Sequence, residues 1–520
     1  MPRYRFTDAG AGQGLFLTVN LQEQLLPGTF EYMLDRLIGN KIDVSIFDQR
    51  YKNDFTGASA IPPSVLLKLV IYGYYTGNKS SRKISELNSN NMVAKALTGD
   101  MEIHWTTIAD FISSSSKEIE IIFEKVLLYC NELGLIGGET FAIDGLRLPS
   151  NASIEMSGTK EQLEKRHALY YKMAEKHLCR HRQKDELGEV DTETKAHFEK
   201  RQKYLHRQIE KLDNFLETME VKIGRSGEEI QSNVTDNESA MIHSSKGFIQ
   251  GFIGLAVSDQ KNQIITSAQA VGTANEGEHL PAMLDKNTAN LQAAGVEPLE
   301  EGQQQLMLGD ANYHSEENFR ACEERGVEAI IPSTHEKRQA DAAGNKKFES
   351  HDFTYNKQEN KCVCPHGKDL TYKGTTNLRG GEHDIYQASL TDCKSCPCFS
   401  QCTWSKKGQT EIVQGRKILL PKGKEPGEPV AKRCKEMNEK LATEAYKVKY
   451  AQRIQIVEPV FANIRYCKGL DRFTLRGKEK VNGQWQLYCI VHNLGKCLHG
   501  YNERRNNRKD VHIREHRICA

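Results

Sequence analysis

Three carboxylates in this chain stand where a carboxylate needs a reason. In "FAIDGLRLPSNAS" (141–153) an apolar run stops at Asp144, and in "QLMLGDANYHSEENF" (305–319) another stops at Asp310. Each reads as an acid at the C-terminal end of a strand, although Asp-Gly alone is ordinary turn chemistry. The third, Glu458, lies in "YAQRIQIVEPVFANIRYCKGLDRF" (450–473) with Tyr450, Arg453 and Arg465. Ligands of open sheets gather at strand ends, so two Asp there and a Glu from a packed helix can converge on one point. Such a trio suits phosphoryl transfer: hard oxygen ligands hold Mg²⁺. Two cations about 3.5–4 Å apart activate the attacking oxygen and stabilise the leaving one. Pro459 follows Glu458 directly. Either a helix starts there, or a kink aims the carboxylate. Arg465 shares the helical face of Glu458 if that helix is continuous.

A second constellation is built from sulfur. Six of the fourteen cysteines fall between 362 and 402, in "CVCPHG" and "DCKSCPCFSQCTW". Cys364 is followed after 28 residues by Cys393-x₂-Cys396-x₅-Cys402. In a cytosolic chain such clustering argues for a closed tetrahedral Zn²⁺ site over disulfides. Cys362 and Cys398 lie within the same cluster, and His366 is a substitute ligand.

The elements that must position these groups come in blocks. Residues 1–135 read as helical: "PPSVLLKLVIYGYYTG" (62–77) places Pro ahead of an apolar helix and Gly at its end. Short helices with tight turns follow, with Arg82 and Lys83 near a helix start, as in a helix-turn-helix module that touches DNA. Strand-like runs at 139–143, 247–257, 263–271, 305–309 and 327–331, with helices before and after the fourth, imply a mixed sheet with helices packed on it. Residues 158–222 interrupt that pattern with a heptad seam of Leu205, Ile209, Leu212, Leu216 and Met219, which predicts a helical hairpin. Residues 332–430 form a polar insertion holding the cysteines. Residues 431–500 are expected to return to the core, first as helices to about 466, then as a basic β-like segment ("RFTLRGKEKVNGQWQLY") and a helix. The basic tail 501–520 is expected to be poorly ordered unless bound.

At 520 residues the chain is long enough for several domains. No apolar run approaches a membrane span, and the start carries no basic-then-apolar signal pattern, so a cytoplasmic protein without membrane contact is expected. Net charge is only +2, yet residues 401–520 hold 26 Lys and Arg against 12 Asp and Glu. That asymmetry puts a basic surface in the C-terminal part, suited to a polyanion.

In this order, the segments resemble the DDE transposases of bacterial insertion sequences. "PPSVLLKLVIYGYYTGNKSSRKISELN" with "TTIADF" is similar to their helical N-terminal domain. "FAIDGLRLPSNAS" and "LGDANYHSEEN" are similar to their first two catalytic Asp segments, and "YAQRIQIVEPVFANIR" to their Tyr-Arg-Glu-Lys signature. Two departures stand out: Arg465 occupies the Lys position, and Arg453 is one residue farther from Glu458 than in the best-known form. The resemblance implies a ribonuclease-H-like catalytic core carrying the helical hairpin and a small zinc-ribbon-like insertion. It further implies catalysis by Asp144, Asp310 and Glu458 on two Mg²⁺ or Mn²⁺ ions. One structural Zn²⁺ on Cys364, Cys393, Cys396 and Cys402, the four the family tends to keep, is also implied. DNA contacts are expected from Arg82, Lys83, Tyr450, Arg453, Arg465, Lys468, Arg472 and Arg476. The expected partners are double-stranded DNA of the element ends and the target, and a second copy of the chain when ends are paired. When bound to DNA the protein would be nucleoid-associated. The competing expectations are a catalytically silent DNA-binding relative and a metal-dependent nuclease without strand transfer.

Overall fold

The computed structural model describes residues 20–51, 59–187, 192–224, 227–244, 247–300, 302–333, 348, 352–356, 359–378, 381–398, 402, 414–421 and 432–518. The chain divides into two compact units, Met1–Ile112 with Cys497–Ala520, and Ser113–Lys496.

The first unit is helical: α1 (Phe30–Leu37), α2 (Pro63–Tyr75), α3 (Ser81–Asn90), α4 (Met92–Thr98) and most of α5 (Trp105–Ser114). Its helix starts are written in the sequence. Thr29, Ser80 and Asn91 each accept a backbone N–H three residues on, and Pro63 opens α2 without needing a donor. Gly99 ends α4 in the left-handed conformation. Leu67, Leu69, Val70, Ile71 and Tyr74 of α2 are fully buried, so that helix is the centre of the unit.

The second unit is organised by a mixed sheet of β1 (Thr140–Pro149), β4 (Ala240–Ser244), β5 (Gly247–Asp259), β6 (Ile265–Val271), β7 (Gln305–Leu308) and β8 (Val327–Ile330). The main order is β4-β5-β1-β7-β8, with β6 also on β5. Strands β1, β4 and β6 are antiparallel to β5, whereas β7 is parallel to β1 and β8 parallel to β7. The short pair β2 (Ser157–Gly158) and β3 (Ser232–Asn233) flanks an inserted hairpin of α6's successors, α7 (Lys160–Glu186) and α8 (Thr192–Thr218), α6 itself being Ser116–Glu132. Leu205 and Leu212 of the heptad seam are buried in that hairpin. Helices α9 (Leu280–Ala293) and α10 (Glu316–Glu324) precede and follow β7. Trp485 is fully buried against Gly254 of β5, and its indole N–H donates to the Leu255 carbonyl at 2.9 Å.

A second, wholly antiparallel sheet holds the cysteine segment: β9 (Thr354–Asn356), β10 (Lys361–Val363), β11 (Asp369–Leu378), β12 (Gly381–Ala388) and β13 (Lys417–Pro421), with the short α11 (Leu390–Lys394). After it come α12 (Lys432–Ala442), α13 (Glu444–Ala462) and α14 (Lys478–Ile518).

Two expectations change here. The segment 472–488 is not β-like, because α14 begins at Lys478, and the backbone stays helical to Ile518 through the basic tail. The helix-forming Lys, Glu, Gln and Leu outweigh the scattered β-formers once Val481, Trp485, Tyr488 and Ile490 are buried in the core. Pro459 neither starts a helix nor breaks one: it lies inside α13. The carbonyl of Gln455, which Pro459 cannot serve, accepts instead from the Gln263 side-chain amide at 3.0 Å. A π-helical turn, Asn463–Cys467, follows four residues on.

Candidate active site

Asp144 sits inside its strand, not at its end. β1 pairs with β5 all the way to Pro149, but with parallel β7 only over Thr140–Ala142. The β7 partner of Ala142 is Leu308, so two residues farther along both chains Asp144 and Asp310 emerge side by side where the pairing stops. Adjacent strands lie about 4.8 Å apart, which sets the spacing of the two acids. An apolar run that ends at an acid looks the same from sequence whether one or both of its neighbours stop.

Each acid is held by specific partners. Asp144 accepts the Gly145 N–H at 2.8 Å through Oδ1 and an Arg453 guanidinium N–H at 2.7 Å through Oδ2. Asp310 accepts the Asn312 backbone N–H at 3.0 Å and its side-chain N–H at 2.9 Å. A third carboxylate joins them, and it is Glu276, from the loop between β6 and α9. Glu276 Oε1 accepts from Arg147 at 2.8 Å and from the Asn312 amide at 2.7 Å. The three acids line an open cavity of about 780 Å³, whose wall also carries Arg147, Phe248, Asn312, Arg465, Asp471 and Arg472.

The electrostatics follow from crowding anions on a partly dry surface. Burial raises the Asp144 carboxyl above its ordinary range, with Arg453 pulling the other way and Asp310 adding to the rise. Burial likewise raises Glu276, opposed by Arg147 and reinforced by Asp310 and Asp144. Tyr313, fully buried beneath them, is pushed well above the usual phenol range by burial first and the three carboxylates second. Tyr450 is raised by burial, and its charged neighbours are Arg453, Asp310 and Asp144.

Glu458 is not gathered with this group: it is exposed on α13 and does not line the cavity. The reason is the one-residue departure in spacing. Tyr450 and Arg453 face the two Asp, and Val457, four residues after Arg453, is fully buried. Glu458 is turned about 100° farther round the helix. Beyond it, Arg465 lies in the π turn and does reach the cavity wall.

The other basic residues are spread over different tasks. Arg472 donates to the Ser150 carbonyl at 3.0 Å and Arg476 to that of Asn151 at 2.8 Å, both near the end of β1. Lys468 is buried, and burial lowers its pKa. In the first unit Arg82 lies over the Trp105 ring at 4.6 Å, and Lys83 is exposed at the start of α3.

The cysteines separate into two kinds. Cys362 is buried in β10 with Leu370 and Tyr386, and burial pushes its thiol up to about 11. Burial also raises Cys402, whose electrostatic neighbours include Cys393, Cys364 and Cys396. The Lys368 backbone N–H donates to Cys364 Sγ at 3.2 Å, and that of Arg416 to Cys393 Sγ at 3.5 Å. His366 is exposed. Among the described residues no group of three or more His, Cys, Asp or Glu side chains is arranged to hold a metal ion.

Comparison with protein families adds an independent observation. Residues 363–498 match the model of the transposase DDE domain, and residues 19–114 match the transposase domain DUF772. Both matched segments belong to transposase families, which supports the resemblance to the DDE transposases of insertion sequences. The DDE match spans Glu458 and all four candidate zinc cysteines, whereas Asp144, Glu276 and Asp310 lie outside both matched segments. No curated protein matches the chain. Among the described residues no helix is long and apolar enough to cross a membrane.

Glu276 escaped the sequence reading because "TANEGEHL" places it just ahead of a helix, where an acid is ordinary company for the helix dipole. The one available signal was its position in the short loop after a core strand.

Proposed function

We propose that this protein is a transposase that binds the ends of an insertion element, cleaves the phosphodiester backbone with two divalent cations and joins the freed 3′-hydroxyl to target DNA. The observation that carries the reading is the register of β1 and β7, which sets Asp144 beside Asp310 in a cavity rimmed by Arg147, Arg465 and Arg472. The strand order β6-β5-β1-β7-β8, antiparallel over the first three and parallel over the rest, supports a ribonuclease-H-like core.

The donor set fits hard cations, since the acids present oxygen only and Asp144 already draws a guanidinium. When bound, the cations supply an activated attacking oxygen and charge stabilisation of the leaving one. The chain's own residues do the rest. Asp144 and Asp310 fix the place of cleavage, and Arg453 holds the Asp144 carboxylate in its orientation. Arg465 and Arg472 at the rim receive the backbone phosphates that flank the cut, and water or the 3′-hydroxyl enters in line from the open side. Glu458 is the third acid that the resemblance assigns, so it belongs in the same test. Zn²⁺ on Cys364, Cys393, Cys396 and Cys402 stabilises the second sheet, and the two N–H···S bonds are the kind that support thiolates. The DNA substrate places the protein with the chromosome, and paired ends call for two copies.

The test is a joining assay. A pre-cleaved element end should be joined to plasmid DNA in Mg²⁺ by the wild type and not by Asp144→Asn or Asp310→Asn. Cleavage without joining would leave a nuclease, and DNA binding without either would leave a silent relative.

A further inference from the structure

The inserted hairpin of α7 and α8 is polarised in charge. Ala174, Leu205 and Leu212 are buried between its helices, which fixes how each is turned. Glu164, Glu175 and Glu186 of α7 recur every eleven residues, as do Glu199 and Glu210 of α8. Eleven residues are three turns to within about 20°, so the acids of each helix share one side. That side is common to both helices, because Glu175, Glu210 and Asp213 line one pocket between them. The bases keep to the other side. Lys176, Arg180 and Lys184 of α7, with Lys200, Arg201 and Lys211 of α8, lie about 80–200° round their helices from those acids. Over 172–184 and 195–217 no described Asp or Glu shares that arc. The hairpin's described ion pairs, Lys165 with Glu161 and His167 with Asp213, engage none of the six bases.

The root of the hairpin is braced against the carboxylate cavity. Asn233 of β3 donates to Ser157 Oγ of β2 at 2.8 Å, and that hydroxyl donates to the Gln250 side-chain oxygen at 3.0 Å. Gln250 is part of the cavity wall. The Arg166 guanidinium donates to the Ser157 carbonyl at 2.9 Å and carries the bracing into α7. A helix of 27 residues is about 40 Å long, the length of roughly twelve base pairs. Charge selects the occupant of the basic side. A two-fold pair of hairpins would set like face on like face and repel. A polyanion is drawn to that side alone.

We propose that the basic face of the α7–α8 hairpin is a second duplex-binding surface, which holds backbone phosphates of the DNA that flanks the cleavage point. The proposal rests on the DNA reading of the cavity given above and adds contacts beyond its rim.

The experiment measures binding of the full chain to a fluorescein-labelled duplex of about 40 base pairs carrying the DNA that flanks the gene, over about 0.05–0.3 M salt. K176Q/R180Q/K200Q/K211Q removes four charges from the basic face without touching a described ion pair. It should flatten the log–log salt slope by about 2 or more, at about 0.9 per lost contact, and weaken binding at least tenfold at an unchanged melting temperature. E175Q/E199Q/E210Q alters net charge on the opposite face and should leave the slope as in the wild type. Should the fourfold variant fail to fold, K176Q/R180Q alone should still flatten the slope by about 1 or more. A wild-type slope in the folded basic-face variant would overturn the proposal. So would loss of a dimer from that variant in sedimentation without DNA, because the face would then join copies of the chain. R472A/R476A separates the two levels of the argument. If that pair lowers the slope and the basic-face variant does not, the DNA reading stands and only the hairpin's role falls. If the wild type shows no salt-dependent duplex binding, both fall.

Discussion

The carboxylate cavity and the cysteine sheet are both candidate metal centres, and they are built in opposite ways. The acids come from positions 144, 276 and 310, and their orienting arginine from 453, brought together by a sheet whose interior is packed with residues such as Phe141, Ile143, Phe252 and Leu255. That frame stands on its own apolar burial. The thiols come from within 39 residues of sequence, on a sheet whose buried cluster, among the described residues, is Phe353, Cys362, Leu370, Tyr386, Ala388, Cys393 and Ile418. A core that small calls for a staple. On the proposed reading, metal would bring chemistry to the first and folding energy to the second, so its loss should act differently on the two.

The largest expected effect is therefore on the cysteine sheet. Structural zinc contributes binding energy of roughly 10–16 kcal/mol to folding. Purified protein should hold about one Zn²⁺ per chain, the number one four-thiol site takes. Cys396→Ser should strip hydrogen-exchange protection from β9 to β13 and leave β1 and β5 protected. Protein purified without chelators and free of zinc would remove the contrast altogether.

Next in size is catalysis without a change in stability. Asp144→Asn and Asp310→Asn should abolish Mg²⁺-dependent cleavage with end binding nearly intact, because the rim arginines are untouched. Glu458→Gln sharpens the account. If it too abolishes cleavage, the exposed acid has to reach the pair in the DNA complex; normal cleavage would leave the three gathered acids sufficient.

A third effect follows from His492, buried and held through Nε2 by the Gln263 carbonyl at 2.9 Å. A carbonyl only accepts, so Nε2 carries the proton. Burial lowers the imidazole to about 4. The unfolded chain then takes up a proton below about pH 6.5 that the folded one refuses, so stability is full above that value and falls as pH drops toward 4. The loss at pH 4 should be about 3 kcal/mol. His492→Gln should flatten this part of the pH profile in denaturant melts, and an unaltered profile would show that another group dominates.

The smallest effect concerns the rim. Replacing Arg472 and Arg476 with Ala should reduce the log–log salt slope of DNA binding by about 2, near 0.9 per lost phosphate contact. An unchanged slope would make both residues purely structural braces of Ser150 and Asn151.

Much of this was legible in the sequence, for physical reasons that differ by region. Asp144 and Asp310 showed themselves because an acid ending an apolar run breaks the pattern of a buried strand. What stayed hidden was the pairing: β5 follows β1 past Asp144 while β7 does not, and no local pattern records a neighbour's length. The cysteines could be grouped by spacing, but only packing showed Cys362 to be core. Glu276 was hidden by its helix-start setting, and Glu458 was placed by a motif whose spacing had slipped by one residue. The stretch from Lys478 was misread because the strand-forming residues that suggested β structure are the apolar face of a long helix.

The central claim is that the fold itself assembles the cleaving centre on Asp144 and Asp310. Its most direct test is nicking of a supercoiled plasmid carrying the DNA that flanks the gene, in Mg²⁺, by wild type and Asp310→Asn at equal DNA occupancy. The account predicts nicking by the wild type and none by the variant, with both proteins melting alike. Near-normal nicking by folded Asp310→Asn would contradict it.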